Sequence, residues 1–208
     1  MVAQNHLRGD ARLCVQALLD QLPAARSSHW RSEATRHDIA NSPLDPQGPV
    51  PSDGRLDPRA VVAALDQALP KAWMMVNSSG HCSYYPPHMH GRAVEQFLTI
   101  REFGAIGNGL SYAIGAAVAR PDVPVVLFDG DGSFLMHVQE LETIRRHGLK
   151  ILICVLNDGG YGSEVHKLRA DGVSQSGAFF GHDDLAALSR GFGLDAHRVA
   201  DLSTLSDH

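Results

Sequence analysis

The chain has 208 residues, 44% of them hydrophobic and 20% charged, with a formal net charge of −5 at pH 7. That is the composition of one well-packed domain, and its mild acidity excludes the basic face of a dedicated nucleic-acid binder. No uninterrupted apolar run exceeds that of Ile151 to Leu156, which falls far short of the roughly 20 residues that span a bilayer, so no membrane segment is expected.

At the N-terminus, MVAQNHLRGDARL lacks the apolar segment of a secretory signal. Asp10 to Leu22 is predicted as a helix, with Asp10 as N-cap, Pro23 as terminator, and Leu13, Ala17, Leu18 and Leu22 on one face. Arg26 to Asp57 is rich in Ser, Pro, Asp and Arg, with Pro43, Pro46, Pro49 and Pro51 close together, and reads as an extended linker. Residues 1–56 are therefore expected to be a remnant helix plus linker, and 57–208 the packed domain. Asp57-Pro58 opens a helix that runs to about Leu69, because proline at the first helical position loses no hydrogen bond. Ala72 to Asn77 reads as a buried strand, and Phe97 to Ile100 as a short one. Gly107 to Arg120 reads as a small-residue helix and Val123 to Phe128 as a strand. Ser133 to His147 reads as one helix stopped by Gly148, followed by a strand over Ile151 to Leu156. A helix over Asp183 to Arg190 and a weak strand over His197 to Ala200 close the series. Continuous apolar strands alternating with helices predict an α/β fold, a parallel sheet with helices on both faces. Cys14, Cys82 and Cys154 lie far apart with no CxxC spacing, which predicts free thiols in a reducing, cytoplasmic setting.

Half of the 20 glycines fall between Gly104 and Gly162. They cluster just past strand ends, the edge where open α/β sheets bind ligands. Gly130-Asp131-Gly132-Ser133 follows one predicted strand and Asn157-Asp158-Gly159-Gly160 the next. The 24 residues between Gly132 and Asn157 are one βαβ unit long. On that spacing the Asp131 carboxylate, the Asn157 amide oxygen and a carbonyl near Gly159 would form half an oxygen octahedron. Magnesium favours such a site, with phosphates and water supplying the other ligands. Gly130 and Gly132 would let the backbone come close to a diphosphate.

These segments, GAIGNGLSYAIGAAVARP (104–121), VVLFDGDGSFLMHVQELETIRRHGL (125–149) and ILICVLNDGGYG (151–162), resemble the diphosphate-binding domain of thiamine-diphosphate enzymes. The resemblance is to the acetohydroxyacid synthase, pyruvate oxidase and benzoylformate decarboxylase group, and it covers about 57–200. GDARLCVQALLDQL resembles the last helix of that group's middle domain. The resemblance implies that Asp131, Asn157 and the Gly159 carbonyl hold Mg2+. It implies that Gly132, Ser133 and the loop Gly80-His81-Cys82 contact the diphosphate, with Gly130 beside them. The Gly104 carbonyl would accept the cofactor's amino group, and Ile106 would be the apolar wedge that bends the cofactor. The family usually carries an asparagine pair where this chain has Asn157-Asp158, and Asp158 reads as a surface or outer residue.

The resemblance also implies a 2-keto acid substrate, decarboxylated or joined to a second carbonyl compound, and a homo- or hetero-oligomer. It implies an activating glutamate on a separate pyrimidine-binding domain or subunit, so no catalytic residue is assigned in this chain. A final helix and strand of the family fold are expected to be missing after HRVADLSTL. Two alternatives stand beside this reading. VVLFDGDGSF is similar to the motif of haloacid-dehalogenase-type phosphatases, which would make Asp129 the nucleophile, Asp131 the acid and Asp183-Asp184 metal ligands. The chain could also be a catalytically inactive, truncated relative.

Overall fold

The computed structural model describes residues 6–23, 30–42 and 54–207. Two compact units are present, Met1–Ser42 and Pro43–His208. Of the predicted linker, Pro43, Pro46, Pro49 and Pro51 lie outside the described residues.

The first unit holds two helices. In α1 (Ala11–Gln21) the Asp10 side chain accepts the Leu13 N–H at 3.1 Å, as its cap position predicts. Leu13, Leu18 and Leu22 are all exposed, so the apolar stripe forms no core of its own. The second helix, α2 (Glu33–Asn41), occupies a stretch read as extended linker. Its start is chemically marked: Ser32 accepts the Thr35 N–H and Glu33 opens the first turn.

The second unit is a four-stranded parallel sheet in the order β2-β1-β3-β4. Its strands are β1 (Met74–Asn77), β2 (Phe97–Thr99), β3 (Val125–Gly130) and β4 (Ile151–Leu156). Helix α3 (Pro58–Ala68) starts as predicted, with Asp57 capping the Arg59 N–H at 2.8 Å and Pro58 in the first turn. Alternation along the strands divides the core. Met74, Val76, Val125 and Leu127 face α4 (Gly109–Ala119) and the residues Phe134, Leu141, Ile144 and Leu185. Met75, Val126 and Phe128 face Val62 and Leu65 of α3 and Met89. Full burial of one such side chain contributes about 2 kcal/mol. An exposed i,i+4 pair such as Glu142–Arg146 contributes about 0.4 kcal/mol, so the sheet core decides the stability.

In this unit three further elements differ from expectation. The helix predicted over 133–147 is broken into α5 (Asp131–Met136) and α6 (Glu140–His147). At the break the bonds tighten to i→i−3, His137 N–H to Phe134 and Glu140 N–H to His137. This rotation lets Phe134 and then Leu141 and Ile144 face the same core. Residues 162–170, given no element from the sequence, form α7 (Gly162–Ala170), in which only Val165 is buried and the apolar period is correspondingly faint. His197 to Ala200 form no strand, and β4 is the sheet edge, with Leu152 37% exposed. Helix α8 (Leu185–Gly191) follows within two residues of its expected limits. Among the described residues no helix is long and apolar enough to cross a membrane.

Candidate functional site

Three strand ends meet at one edge of the sheet. β1 runs into Ser78-Ser79-Gly80 and the 3-10 turn His81–Tyr84, β3 runs into α5, and β4 runs into the loop before α7. A cavity of about 1560 Å³ opens here and continues past the edge of β4. Gly80, His81, Cys82, Gly104, Ile106, Gly130, Asp131, Gly132, Ser133 and Asn157 all line it.

Asp131 is buried and ties two of these ends together. Its Oδ1 accepts the Gly132 N–H at 2.7 Å and its Oδ2 the Gly159 N–H at 2.6 Å. Burial raises its pKa above the usual carboxylate value; the N–H groups of Gly159, Gly132 and Gly160 pull it back, and the nearby charge of Asp158 raises it further. Asp158 is exposed and lines the same cavity. Its Oδ2 also lies 2.5 Å from where a Cβ on Gly162 would stand, with His81 Nδ1 at 3.2 Å from the same point. A Cβ at 162 would displace the Asp158 carboxylate. Gly132 is equally constrained, because a Cβ there would stand 2.5 Å from the Tyr161 ring.

Two expected contributions are directed elsewhere. The Asn157 amide donates to the Asp183 carbonyl at 3.1 Å, and its Oδ1 meets His182 Nδ1 at 3.3 Å. The Gly159 peptide is turned so that its N–H faces Asp131, while its carbonyl accepts from Phe180 and Gly181, both at 3.1 Å.

Side chains in the two glycine loops also turn inward. The Ser133 hydroxyl is buried, accepts the Gly107 N–H at 2.9 Å and pairs with Ser78 Oγ at 2.8 Å. Cys82 is buried with Sγ 3.4 Å from the Ser79 carbonyl; burial first, then the charge of Asp129, pushes its thiol up to about 12. These residues can offer a ligand their backbone, and His81, half-buried, can offer its ring as well. Gly80 and Gly104 hold positive φ of 100° and 64°. Ile106 is half-buried in the cavity wall.

Comparison with known proteins bears on the same residues. The family model described as "Thiamine pyrophosphate enzyme, C-terminal TPP binding domain" matches residues 79–208, well over half of the chain. The chain belongs to that family. Probable acetolactate synthase 2, chloroplastic, of Oryza sativa subsp. japonica is 30% identical over 211 residues, covering 91% of this chain and 31% of that protein. Acetolactate synthase 1, chloroplastic, of Nicotiana tabacum is 34% identical over 163 residues, covering 75% and 24% respectively. Among solved structures, the thiamine diphosphate-dependent 4-hydroxybenzoylformate decarboxylase of Rhodococcus jostii RHA1 superposes with a TM-score of 0.68 at 24% identity. It covers 78% of this chain and 31% of its own, a likeness of fold. The chain spans about a quarter to a third of the length of these curated relatives.

Membership in the thiamine pyrophosphate enzymes agrees with the geometry on a further point. Asp129, the nucleophile of the phosphatase alternative, is fully buried, with Oδ2 only 2.7 Å from where a Cβ on Gly109 would stand. Burial pushes its carboxyl up to about 6. Asp184 caps α8 through the Ala187 N–H at 2.9 Å. The phosphatase alternative therefore finds no support.

Proposed function

We propose that this chain binds thiamine diphosphate through Mg2+ at the ends of β1, β3 and β4. In this reading it is the cofactor-binding portion of an acetolactate-synthase-like enzyme acting on small 2-keto acids. The observation that carries the reading is Asp131: a buried carboxylate at the tip of β3, bonded across to the loop of β4.

The residues fit a hard cation. A carboxylate, an amide oxygen and a peptide carbonyl at neighbouring strand ends are the oxygen donors such an ion takes. Among the described residues no group of three or more His, Cys, Asp or Glu side chains is placed to hold a metal. A cation here would need oxygens from phosphate and water, as Mg2+ prefers. Asp131, the Asn157 amide oxygen and the Gly159 carbonyl are the proposed metal donors, with Asp158 in the same cavity wall. The backbones of Gly80, His81, Cys82, Gly130, Gly132 and Ser133 are proposed to line the diphosphate. The Gly104 carbonyl and Ile106 are proposed to position the aminopyrimidine end.

The bound cofactor supplies the carbanion chemistry that breaks or makes the bond beside the keto carbonyl; the protein supplies binding and orientation. The activating carboxylate is proposed to come from a pyrimidine-binding domain or subunit, and the working enzyme to be an oligomer. Calorimetry of thiamine diphosphate with Mg2+ tests the reading. Asp131→Ala and Asn157→Ala are each expected to lose at least tenfold in affinity relative to wild type, about 1.4 kcal/mol. Magnesium-independent binding, or undiminished binding by Asp131→Ala, would overturn it.

A further inference from the structure

The two glycine loops of the site are not joined by neighbouring strand bonds. Gly104 to Asn108 precede α4, Gly130 to Ser133 form the turn from β3 into α5, and the two segments are more than twenty residues apart in sequence. One buried node connects them. Ser133 Oγ accepts the Gly107 N–H at 2.9 Å and shares a 2.8 Å hydrogen bond with Ser78 Oγ at the end of β1. Ser78 and Ser133 are both buried, at 0% and 4% exposure. A hydroxyl is the smallest side-chain group that can accept an N–H and donate in the same place.

The packing around the node is tight. A Cβ on Gly109 would stand 2.7 Å from Asp129 Oδ2 and 3.1 Å from Ser78 Cβ. A Cβ on Gly107 would stand 2.9 Å from the Met136 side chain. The loop before α4 therefore seats on β1, β3 and α5 at one place, and it is held there by buried hydroxyls. The Ser133 hydroxyl is committed to Gly107 and Ser78, which gives it a role within the protein.

We propose that the Ser78–Ser133 hydroxyl pair is a positioning device that latches the Gly104–Gly109 loop onto the Gly130–Ser133 turn, setting the distance between the parts of the site facing the cofactor's two ends. The role in cofactor placement rests on the function proposed above; the latch itself does not. Ser78 and Ser133 act as positioning residues, through Gly107, and touch no reacting atom.

The test uses the full chain, with Ser133→Ala and Ser78→Ala, and reads two quantities. The first is hydrogen exchange at the Gly107 amide without ligand. Loss of its acceptor in Ser133→Ala is expected to raise exchange there about fivefold or more, corresponding to one hydrogen bond of about 1 kcal/mol, with the β3 and β4 amides unchanged. The second is calorimetric affinity for thiamine diphosphate with Mg2+, expected to weaken by a similar factor in both variants. Unchanged Gly107 exchange and unchanged affinity in Ser133→Ala overturn the proposal, as does exchange that rises equally over the whole sheet. Should Ser133→Ala fail to fold, Ser78→Ala carries the same two readouts with the same overturning results. Absence of cofactor binding by wild type would sink the proposed function instead, and the Gly107 exchange would still decide the latch.

Discussion

Asp131 Oδ2 holds the Gly159 N–H at 2.6 Å, so the carboxylate at the end of one strand fixes the peptide orientation in the loop after its neighbour. That bond directs the Gly159 carbonyl to Phe180 and Gly181 and brings the following loop over the site. It makes Asp131 structural before any ligand is bound.

Asp131→Ala is therefore expected to cost stability as well as affinity. It leaves the Gly132 and Gly159 N–H groups, both in buried residues, without their acceptor. A loss of about 2 kcal/mol is expected in urea unfolding without cofactor. A stability equal to wild type would show that these bonds are replaced by water at no cost.

Asp129 gives the metal-free chain a pH dependence of definite sign. Burial pushes its carboxyl from the ordinary 3.8 up to about 6, against the opposing Ser133, Gly130 and Ser78 hydrogen-bonding groups. The folded state holds this proton more tightly than the unfolded chain. The contribution is thus fully present below about pH 4 and is lost as pH rises through about 6. Its size is about 3 kcal/mol from the difference in pKa. Asp129→Asn is expected to flatten this part of the stability curve between pH 4 and 6; an unchanged slope would place the titration elsewhere.

The thiols should differ sharply in reactivity. Burial pushes both Cys82 and Cys154 up to about 12, leaving almost no thiolate at pH 8. Cys14 is half-buried on α1. An aromatic disulfide reagent is expected to titrate one thiol rapidly in the native chain and three after unfolding. Rapid modification of Cys82 would show that the turn after β1 opens.

Gly148 caps α6 in the left-handed region, at φ 58° and ψ 38°. Gly148→Ala is expected to destabilise by about 1 kcal/mol through backbone strain alone, since a Cβ there meets no other atom within 4 Å. Cofactor affinity should not change, and a loss of affinity would couple this helix end to the site.

Much of the fold was legible in local signals. Asp57-Pro58 marked the start of α3 and Gly148 the end of α6, because caps act within a few residues. The six apolar residues of β4 had the bounds the sequence implied. The break at His137 was not legible, since the 133–147 stretch reads as one uninterrupted helical period. The turn there serves the placement of Phe134 and Leu141 in a shared core, which is a tertiary demand. Helix α7 was missed because it buries only Val165.

The residues themselves determined a parallel α/β domain with oxygen donors and glycines gathered past the ends of its strands, because strand periodicity, caps and turn residues are set by near neighbours. Which donor faces inward was decided only in three dimensions. The Asn157 amide bonds to Asp183 and His182. The Ser133 hydroxyl likewise turned inward to Gly107 and Ser78. Past a strand end no period fixes side-chain direction; it follows from loop peptides oriented by distant partners, here Gly159 held between Asp131 and the 180–181 turn.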